Sequence, residues 1–204
     1  MVIKLETKRL ILRKPRKSDW KDLVNGMNNL NISKNLEVVP FPYKKKDAKD
    51  FIKNKIKKWN KKDQDDFSFF IELKSEKKMI GAIGLHQVEK FNGLATTGSW
   101  INEKYWRKGY ISEAKIAFNE YAFNKLKLRK LCSAVFVDNK GSNATQKRMG
   151  YKLEGYLKKH SKCKATNKIR DVKVYGLFKE DWKKNLPKLK KHLKKKLQIL
   201  EERV

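Results

Sequence analysis

The chain has 204 residues, of which 39% are hydrophobic and 11% aromatic, and its formal net charge is +30. This length allows one sizeable domain and is short for two, and the share of large apolar residues excludes a disordered chain. The charge comes mostly from lysines spread along the whole chain; it attracts phosphates, nucleic acid or an anionic membrane surface, and it is equally consistent with a surface that is simply well solvated.

The cysteines and the N-terminus exclude several further classes of protein. Cys132 and Cys163 have no second cysteine or histidine at metal-ligand spacing, so we expect neither a metal site nor a disulfide framework. The first 13 residues contain no long apolar run and no cleavage site, and no segment approaches the length of a membrane span. We therefore expect a cytoplasmic protein.

The first half of the chain alternates between strand and helix patterns. Ser18 is the predicted cap of the first helix, and the prolines at positions 40 and 42 separate it from the second. Three strand-like runs follow, with turn residues between them. The predicted elements are a strand at 10–13, helices at 18–28 and 47–58, and strands at 67–73, 79–88 and 96–102.

The second half continues this alternation. The run at 131–137 is apolar at nearly every position, which is typical of a central strand covered on both faces. Gly150 follows a short helix at the position where a left-handed cap is needed. The predicted elements are helices at 110–125 and 139–149 and strands at 131–137, 151–157 and 172–178. This order predicts an α/β domain with a mixed sheet.

The C-terminal segment has a different character. Leucines recur at helical spacing among lysines from position 186 to position 200, which predicts a basic amphipathic helix. We expect this helix to pack on its own domain, the alternatives being RNA, a membrane or a second subunit. The predicted organisation is a domain at 1–182 and a helical extension at 183–204.

The segment most informative about chemistry runs from residue 99 to residue 114. It combines a strand, a short basic loop with a glycine, and a helix. A helix N-terminus presents unpaired N–H groups that favour a phosphate, Gly109 lets the backbone approach a ligand, and Arg107 and Lys108 add positive charge. The pattern indicates a phosphate-binding turn, the alternative being a plain strand-to-helix turn with solvated basic residues.

Residues 106–114 read Trp-Arg-Lys-Gly-Tyr-Ile-Ser-Glu-Ala, which resembles the pyrophosphate-binding motif Gln/Arg-x-x-Gly-x-Gly/Ala of the GCN5-related N-acetyltransferases (GNAT). The form is similar to the RimJ/RimL-like branch that acetylates ribosomal proteins. Residues 139–144 and 147–155 resemble a second motif of that branch, and residues 7–13, 170–172 and 180–182 add weaker similarity. The likeness covers residues 5–182, and it implies a single GNAT domain with a mostly antiparallel central sheet flanked by helices.

The resemblance implies an enzyme that transfers acetyl from acetyl-CoA, without a metal, to a protein N-terminal α-amino group. It also implies contact with the ribosome or RNA through the basic surface, and a monomer or a homodimer. Two alternatives stay open, namely acetylation of a small amine such as a polyamine or an aminoglycoside, and a non-catalytic module that binds acetyl-CoA or RNA. Repulsion between polyamines and a +30 protein favours the first reading.

The resemblance also assigns roles to individual residues. The backbone N–H near Ile101 is the implied oxyanion donor. Gln146 occupies the position where many relatives have a tyrosine that protonates the thiolate. The RimJ/RimL-like branch instead often has serine three residues after the motif asparagine, so Ser142 is the implied proton donor here. The implied coenzyme contacts are Trp100, Ile101 and Asn102 for pantetheine, Arg107, Lys108, Gly109, Tyr110, Ile111 and Ser112 for pyrophosphate, and Asn139, Ser142 and Lys147 for the coenzyme arm and its phosphate end.

Three positions depart from the family pattern. Arg107 replaces a glycine, Ile111 replaces alanine or glycine, and Thr96 replaces an acidic residue that is a candidate general base. A different base is then needed unless the bound amine loses its proton unaided. The candidates are Glu37, Glu103 and Asp171, acting through water, while of His86, His160 and His192 the first lies at a strand end facing the cleft and is the histidine to test.

Overall fold

The computed structural model describes residues 3–61 and 64–201, which form an eight-stranded sheet with helices on both faces. The strand order is β1-β2-β3-β4-β5-β6-β8-β7, and every neighbouring pair is antiparallel except β5 and β6, which run parallel. The strands are β1 (Leu5–Glu6), β2 (Leu10–Arg13), β3 (Phe67–Leu73), β4 (Lys78–Glu89), β5 (Leu94–Ile101), β6 (Lys130–Phe136), β7 (Lys152–Lys162) and β8 (Ile169–Phe178). The predicted α/β domain with a mixed, mostly antiparallel sheet is confirmed.

The helices cover the sheet in two groups. Phe70 packs with α1 and α3 on one face, whereas Phe69 and Ile71 pack with α4 and α6 on the other, because successive side chains of a strand point to opposite faces. The helices are α1 (Trp20–Met27), α2 (Leu30–Ser33), α3 (Lys45–Trp59), α4 (Tyr110–Glu120), α5 (Lys140–Arg148) and α6 (Lys179–Glu201). The sheet thus separates an α1–α3 face from an α4–α6 face.

The predicted cap of α1 at Ser18 is wrong. Residues 17–19 form a turn of 3-10 helix, and α1 starts at Trp20. The carboxylate of Asp19 accepts a hydrogen bond from the Arg16 amide and pairs with Arg13, so the aspartate organises this turn. At α5 the predicted signals hold, because the Asn139 side chain accepts from the Ser142 amide and Gly150 has a φ of 89°.

Helix α6 packs along the domain. Its first turns bury Trp182, whose ring centroid lies 6.3 Å from that of Phe123, and Leu189 reaches the core beside α4. Leu186 and Leu193 contact the same cluster. Within the described ranges, none of the helices is both long enough and apolar enough to cross a membrane.

Candidate active site

The parallel strands β5 and β6 stay paired over a short stretch only. Their register ends at Thr96 and Cys132. Beyond these residues β5 continues against β4 alone and β6 against β8 alone. Residues 97–101 and 133–136 are therefore not paired with each other, and we call the gap between these two strand ends the slot. Backbone groups along it can pair with an extended ligand as with an added strand.

The loop after β5 leads into the N-terminus of α4 beside this slot. Gly109, the residue before the helix, has a φ of 82°, which favours glycine. The first hydrogen bond within the helix runs from the Glu113 amide to the Gly109 carbonyl, so the amides of residues 110–112 precede the helical ladder. These amides and the helix dipole make the turn suited to an anion.

Arg107 also adopts a left-handed conformation, with a φ of 62°. This backbone geometry explains why a glycine suits the position, since a side chain there costs on the order of 1–2 kcal/mol. The guanidinium adds a full positive charge next to the turn. Compared with the glycine of the family pattern, Arg107 therefore has a less favourable backbone conformation but adds a positive charge.

A residue from the start of the chain holds the turn in place. The Arg9 Nε atom lies 2.7 Å from Glu113 Oε2, and its Nη1 atom donates to the Lys108 carbonyl at 3.1 Å. Its guanidinium also stacks 4.2 Å from the centre of the Tyr110 ring. Among the described residues, the buried Arg9 Nη2 atom has no hydrogen-bond partner. Both Arg9 and Glu113 lie within segments that resemble the family, but the sequence indicates no role for either residue.

Helix α6 forms an outer wall over the same turn. The Lys196 Cδ atom lies 3.2 Å from the place that a side-chain Cβ would take at Gly109. A small cavity between α4, the end of α5 and α6 is lined by polar groups that include Ser112, Arg148, His192 and Lys196. Burial lowers the pKa of Lys196, and repulsion from Arg148 and Arg9 lowers it further. Lys196, Arg148 and Arg9 thus lie close to one another at the turn, and a bound anion would reduce the repulsion between them.

Helix α5 contributes polar groups on the β6 side of the slot. Ser142 is half-buried, and within the described part of the chain its hydroxyl has no hydrogen-bond partner. Gln146 Nε2 donates to Ser133 Oγ at 2.7 Å, while its buried Oε1 atom is unpaired in the same part of the chain. An unpaired acceptor next to an open strand edge fits a ligand with amide N–H groups. Lys147 is exposed one residue further on.

The predicted β5 contacts occupy both faces of the sheet. The Trp100 ring packs on α1, where a side chain on Gly26 would come within 2.7 Å of it. Ile101 is buried on the other side, and its carbonyl accepts from Trp106 Nε1 at 2.7 Å. The Asn102 amide donates to the Ile80 carbonyl, so it is already engaged within the protein.

The acidic base candidates are held in different ways. Glu103 accepts hydrogen bonds from Asn29 and Asn31. Asp171 accepts from the Lys159 amide and the Tyr156 hydroxyl, which together lower its pKa, and Glu37 is exposed. Over residues 3–61 and 64–201, no three His, Cys, Asp or Glu side chains come together as metal ligands.

Comparison with known proteins identifies relatives over most of the chain. The acetyltransferase (GNAT) domain family matches residues 9–152. The uncharacterized N-acetyltransferase YnaD of Bacillus subtilis is 31% identical over 181 residues, covering 87% of this chain and 98% of that protein. The ribosomal-protein-serine acetyltransferase of Escherichia coli is 35% identical over 83 residues, 41% of this chain and 46% of that protein.

A solved structure shares the fold. The microcin C7 self-immunity acetyltransferase MccE, determined in complex with acetyl-CoA and AMP, superimposes with a TM-score of 0.73 at 23% identity. The superposition covers 84% of this chain and 93% of that one. The family match ends at residue 152, so α6 and its contacts with the α4 turn lie outside it.

Proposed function

Because the chain belongs to the acetyltransferase (GNAT) domain family, we propose that it transfers the acetyl group of acetyl-CoA to the N-terminal α-amino group of a protein. Family membership confirms the predicted GNAT resemblance and makes the chain an N-acetyltransferase. Similarity to a ribosomal-protein-serine acetyltransferase supports the RimJ/RimL-like branch. The observation that carries the proposal is the slot that opens between β5 and β6 after Thr96, next to the N-terminus of α4.

The coenzyme occupies this slot in an extended form. Its pantetheine arm pairs with the β5 edge around Ile101, since the Asn102 amide is already bound to Ile80, and the unpaired Gln146 Oε1 accepts from one of its amide groups. Its pyrophosphate lies at the amides of residues 110–112, where Arg107 and Lys108 supply positive charge. Asn139 and Lys147 flank the arm on the α5 side.

The chemistry requires few protein groups. A neutral amine attacks the thioester carbonyl carbon, forming the C–N bond and a tetrahedral oxyanion that the backbone N–H of Ile101 stabilises. When the tetrahedral intermediate collapses, the C–S bond breaks. The nitrogen, which became positively charged on forming the C–N bond, loses one proton, and the thiolate is protonated through the Ser142 hydroxyl. The products are the acetylated amine and free coenzyme A.

The charge of the chain supports a protein acceptor on the ribosome. A net charge of +30 attracts a ribonucleoprotein surface and repels a polyamine. The Escherichia coli relative is itself described as acting on a ribosomal protein.

A coupled assay tests this proposal. The protein is incubated with acetyl-CoA, a thiol reagent and either peptides with free N-termini, polyamines or aminoglycosides. We expect coenzyme release with peptides and one added acetyl group at the peptide N-terminus by mass spectrometry. Release with small amines alone would contradict the protein acceptor, and no release with any amine would contradict the proposed activity.

The placement of the phosphates has its own test. Arg107→Glu should weaken acetyl-CoA binding at least tenfold, because it reverses a charge beside the α4 amides. Lys90→Glu, at the exposed turn between β4 and β5, is the matched control and should leave affinity unchanged. Equal affinity of both variants would contradict the placement.

A further inference from the structure

A histidine–aspartate pair lies on the α1–α3 face of the sheet, beside the start of the slot. The Nδ1 atom of His86, on β4, lies 3.0 Å from Oδ2 of Asp66, which precedes β3. Asp66 is only 3% exposed, whereas 39% of the His86 side chain is accessible. The pair therefore consists of a buried carboxylate and an imidazole ring that reaches the protein surface.

The surroundings of Asp66 keep it ionised. Burial alone would raise its pKa, but hydrogen bonds from His86, Lys55 and Ser68 hold the pKa of Asp66 well below its usual range. Lys58 lies 3.2 Å from the same carboxylate. An ionised acceptor at Nδ1 keeps the ring proton on that nitrogen, so Nε2 presents its lone pair.

Among residues 3–61 and 64–201, the sheet places no side chain over the Nε2 side of the His86 ring. Gly84 and Gly98 are directly opposite each other on β4 and β5, so this part of the α1–α3 face carries no side chains. A Cβ on Gly98 would lie 3.6 Å from His86 Nε2, and its other non-hydrogen neighbours within 4 Å all belong to that ring or to adjacent residues. Trp100 follows two residues later on the same face. The glycine pair thus forms a shallow trough between His86 and Trp100.

The trough lies at the point where β5 and β6 separate. His86 is directly opposite Thr96, and Thr96 is the last β5 residue paired with β6. Thr96 also occupies the position where the family pattern has an acidic candidate base. The side chains of His86 and Thr96 project from the same face, because directly opposed residues of an antiparallel pair do so.

We propose that His86 is the general base that takes the proton from the acceptor amine, and that Asp66 is the residue that positions it. The inference rests on the proposed function and supplies the base missing at Thr96. The acceptor arrives as an ammonium group in the trough and transfers one proton to Nε2. Its free electron pair then forms the C–N bond with the thioester carbonyl carbon, and His86 releases the proton to water after the C–S bond has broken.

Steady-state kinetics with the acceptor peptide test the proposal. His86→Gln should lower kcat by about 100-fold or more, the range expected for loss of a general base, while acetyl-CoA affinity stays unchanged. Asp66→Asn should lower kcat less, because the ring remains but its tautomer is no longer fixed. The matched control is His160→Gln on the exposed strand β7, which should retain full activity.

Chemical rescue separates a base from a structural side chain. In His86→Ala, added imidazole should restore part of the rate, in proportion to the concentration of its neutral form, because the glycine trough leaves room for it. Full activity of His86→Gln, or no rescue of an inactive but folded His86→Ala variant, would overturn the proposal. Either result leaves the proposed function intact as long as the unmodified protein transfers acetyl to the peptide; if it does not, the proposed function itself fails.

Discussion

The Arg9 Nε atom lies 2.7 Å from the Glu113 Oε2 atom, so a residue near the start of the chain is bound to the first turn of α4. Glu113 is 3% exposed and also accepts hydrogen bonds from the Arg9 amide and the Thr7 hydroxyl. This carboxylate thus joins the N-terminal segment to the turn proposed to bind the pyrophosphate. The Arg9–Glu113 ion pair thus fixes the position of this turn relative to the N-terminal segment.

Breaking this contact should damage both stability and coenzyme binding. Glu113→Gln leaves a nearly buried guanidinium without its counter-charge, and removing one partner of a buried pair costs on the order of 3–5 kcal/mol. We expect a lower midpoint in urea unfolding and a several-fold weaker affinity for acetyl-CoA in the folded protein. Glu120→Gln, whose partner Lys190 is an exposed side chain of α6, should change neither quantity appreciably.

Ser142→Ala should slow the chemical step and leave coenzyme affinity unchanged. The substitution removes the proposed proton donor to the thiolate but keeps the Ser142 amide, which donates to the Asn139 side chain and stabilises the start of α5. Single-turnover kinetics should show a rate at least tenfold lower. Thr145→Ala, one turn further along α5, should keep the normal rate, and a normal rate in Ser142→Ala would remove this residue from the mechanism.

Lys196→Glu should weaken acetyl-CoA binding, although Lys196 lies outside residues 9–152, which match the family. Its side chain covers the turn at Gly109 together with Arg148, and charge reversal there would repel the coenzyme phosphates. Titration calorimetry should show a loss of at least fivefold, and Lys195→Glu, on the exposed side of the same helix, should show much less. Equal acetyl-CoA affinities of the two variants would show that α6 packs on the domain without contributing to coenzyme binding.

Lys115 predicts a pH dependence of stability. It is 2% exposed beside the Tyr151 ring, no carboxylate of the described residues pairs with it, and burial lowers its pKa to about 8. Because the folded pKa lies below the unfolded one of about 10.4, the unfolded chain binds more protons between these values. The free energy of unfolding should therefore rise with pH across that window, by about 3 kcal/mol at most from this group.

The comparison of Lys115→Met with the unmodified protein isolates this effect. The variant should be more stable at pH 7, and its advantage should shrink as the pH rises from 8 to 10.5, as followed by urea unfolding at several pH values. Lys158→Met on the exposed strand β7 serves as the control. A constant difference across the range would contradict the burial effect.

Local patterns predicted most of the fold. Strands and helices with clear periodicity were found with their ends displaced by a few residues, and the turn at Gly109 was recognised from one glycine and its basic neighbours. The strand Leu5–Glu6 and the helix Leu30–Ser33 were missed, because two and four residues are too few to show a period. Strand β7 extends to Lys162, beyond the predicted end at 157, since its register shifts and exposed side chains obscure the alternation.

Sequence patterns do not predict the contacts between distant residues in the candidate site. Arg9 and Glu113 are 104 positions apart, and neither residue indicates its partner. The amphipathic stripe of α6 predicted one buried face but not that its far end would lie over Gly109. The place of His86 at a strand end predicts it as the histidine to test, whereas the buried carboxylate beside it depends on the packing of α3 on the sheet, which the sequence does not indicate.

A crystal structure with bound acetyl-CoA tests the central claim most directly. We predict pantetheine between β5 and β6 beyond Thr96, and pyrophosphate oxygens within hydrogen-bond distance of the amides of residues 110–112. Pyrophosphate bound elsewhere, or a slot that stays empty at saturating coenzyme, would contradict the account.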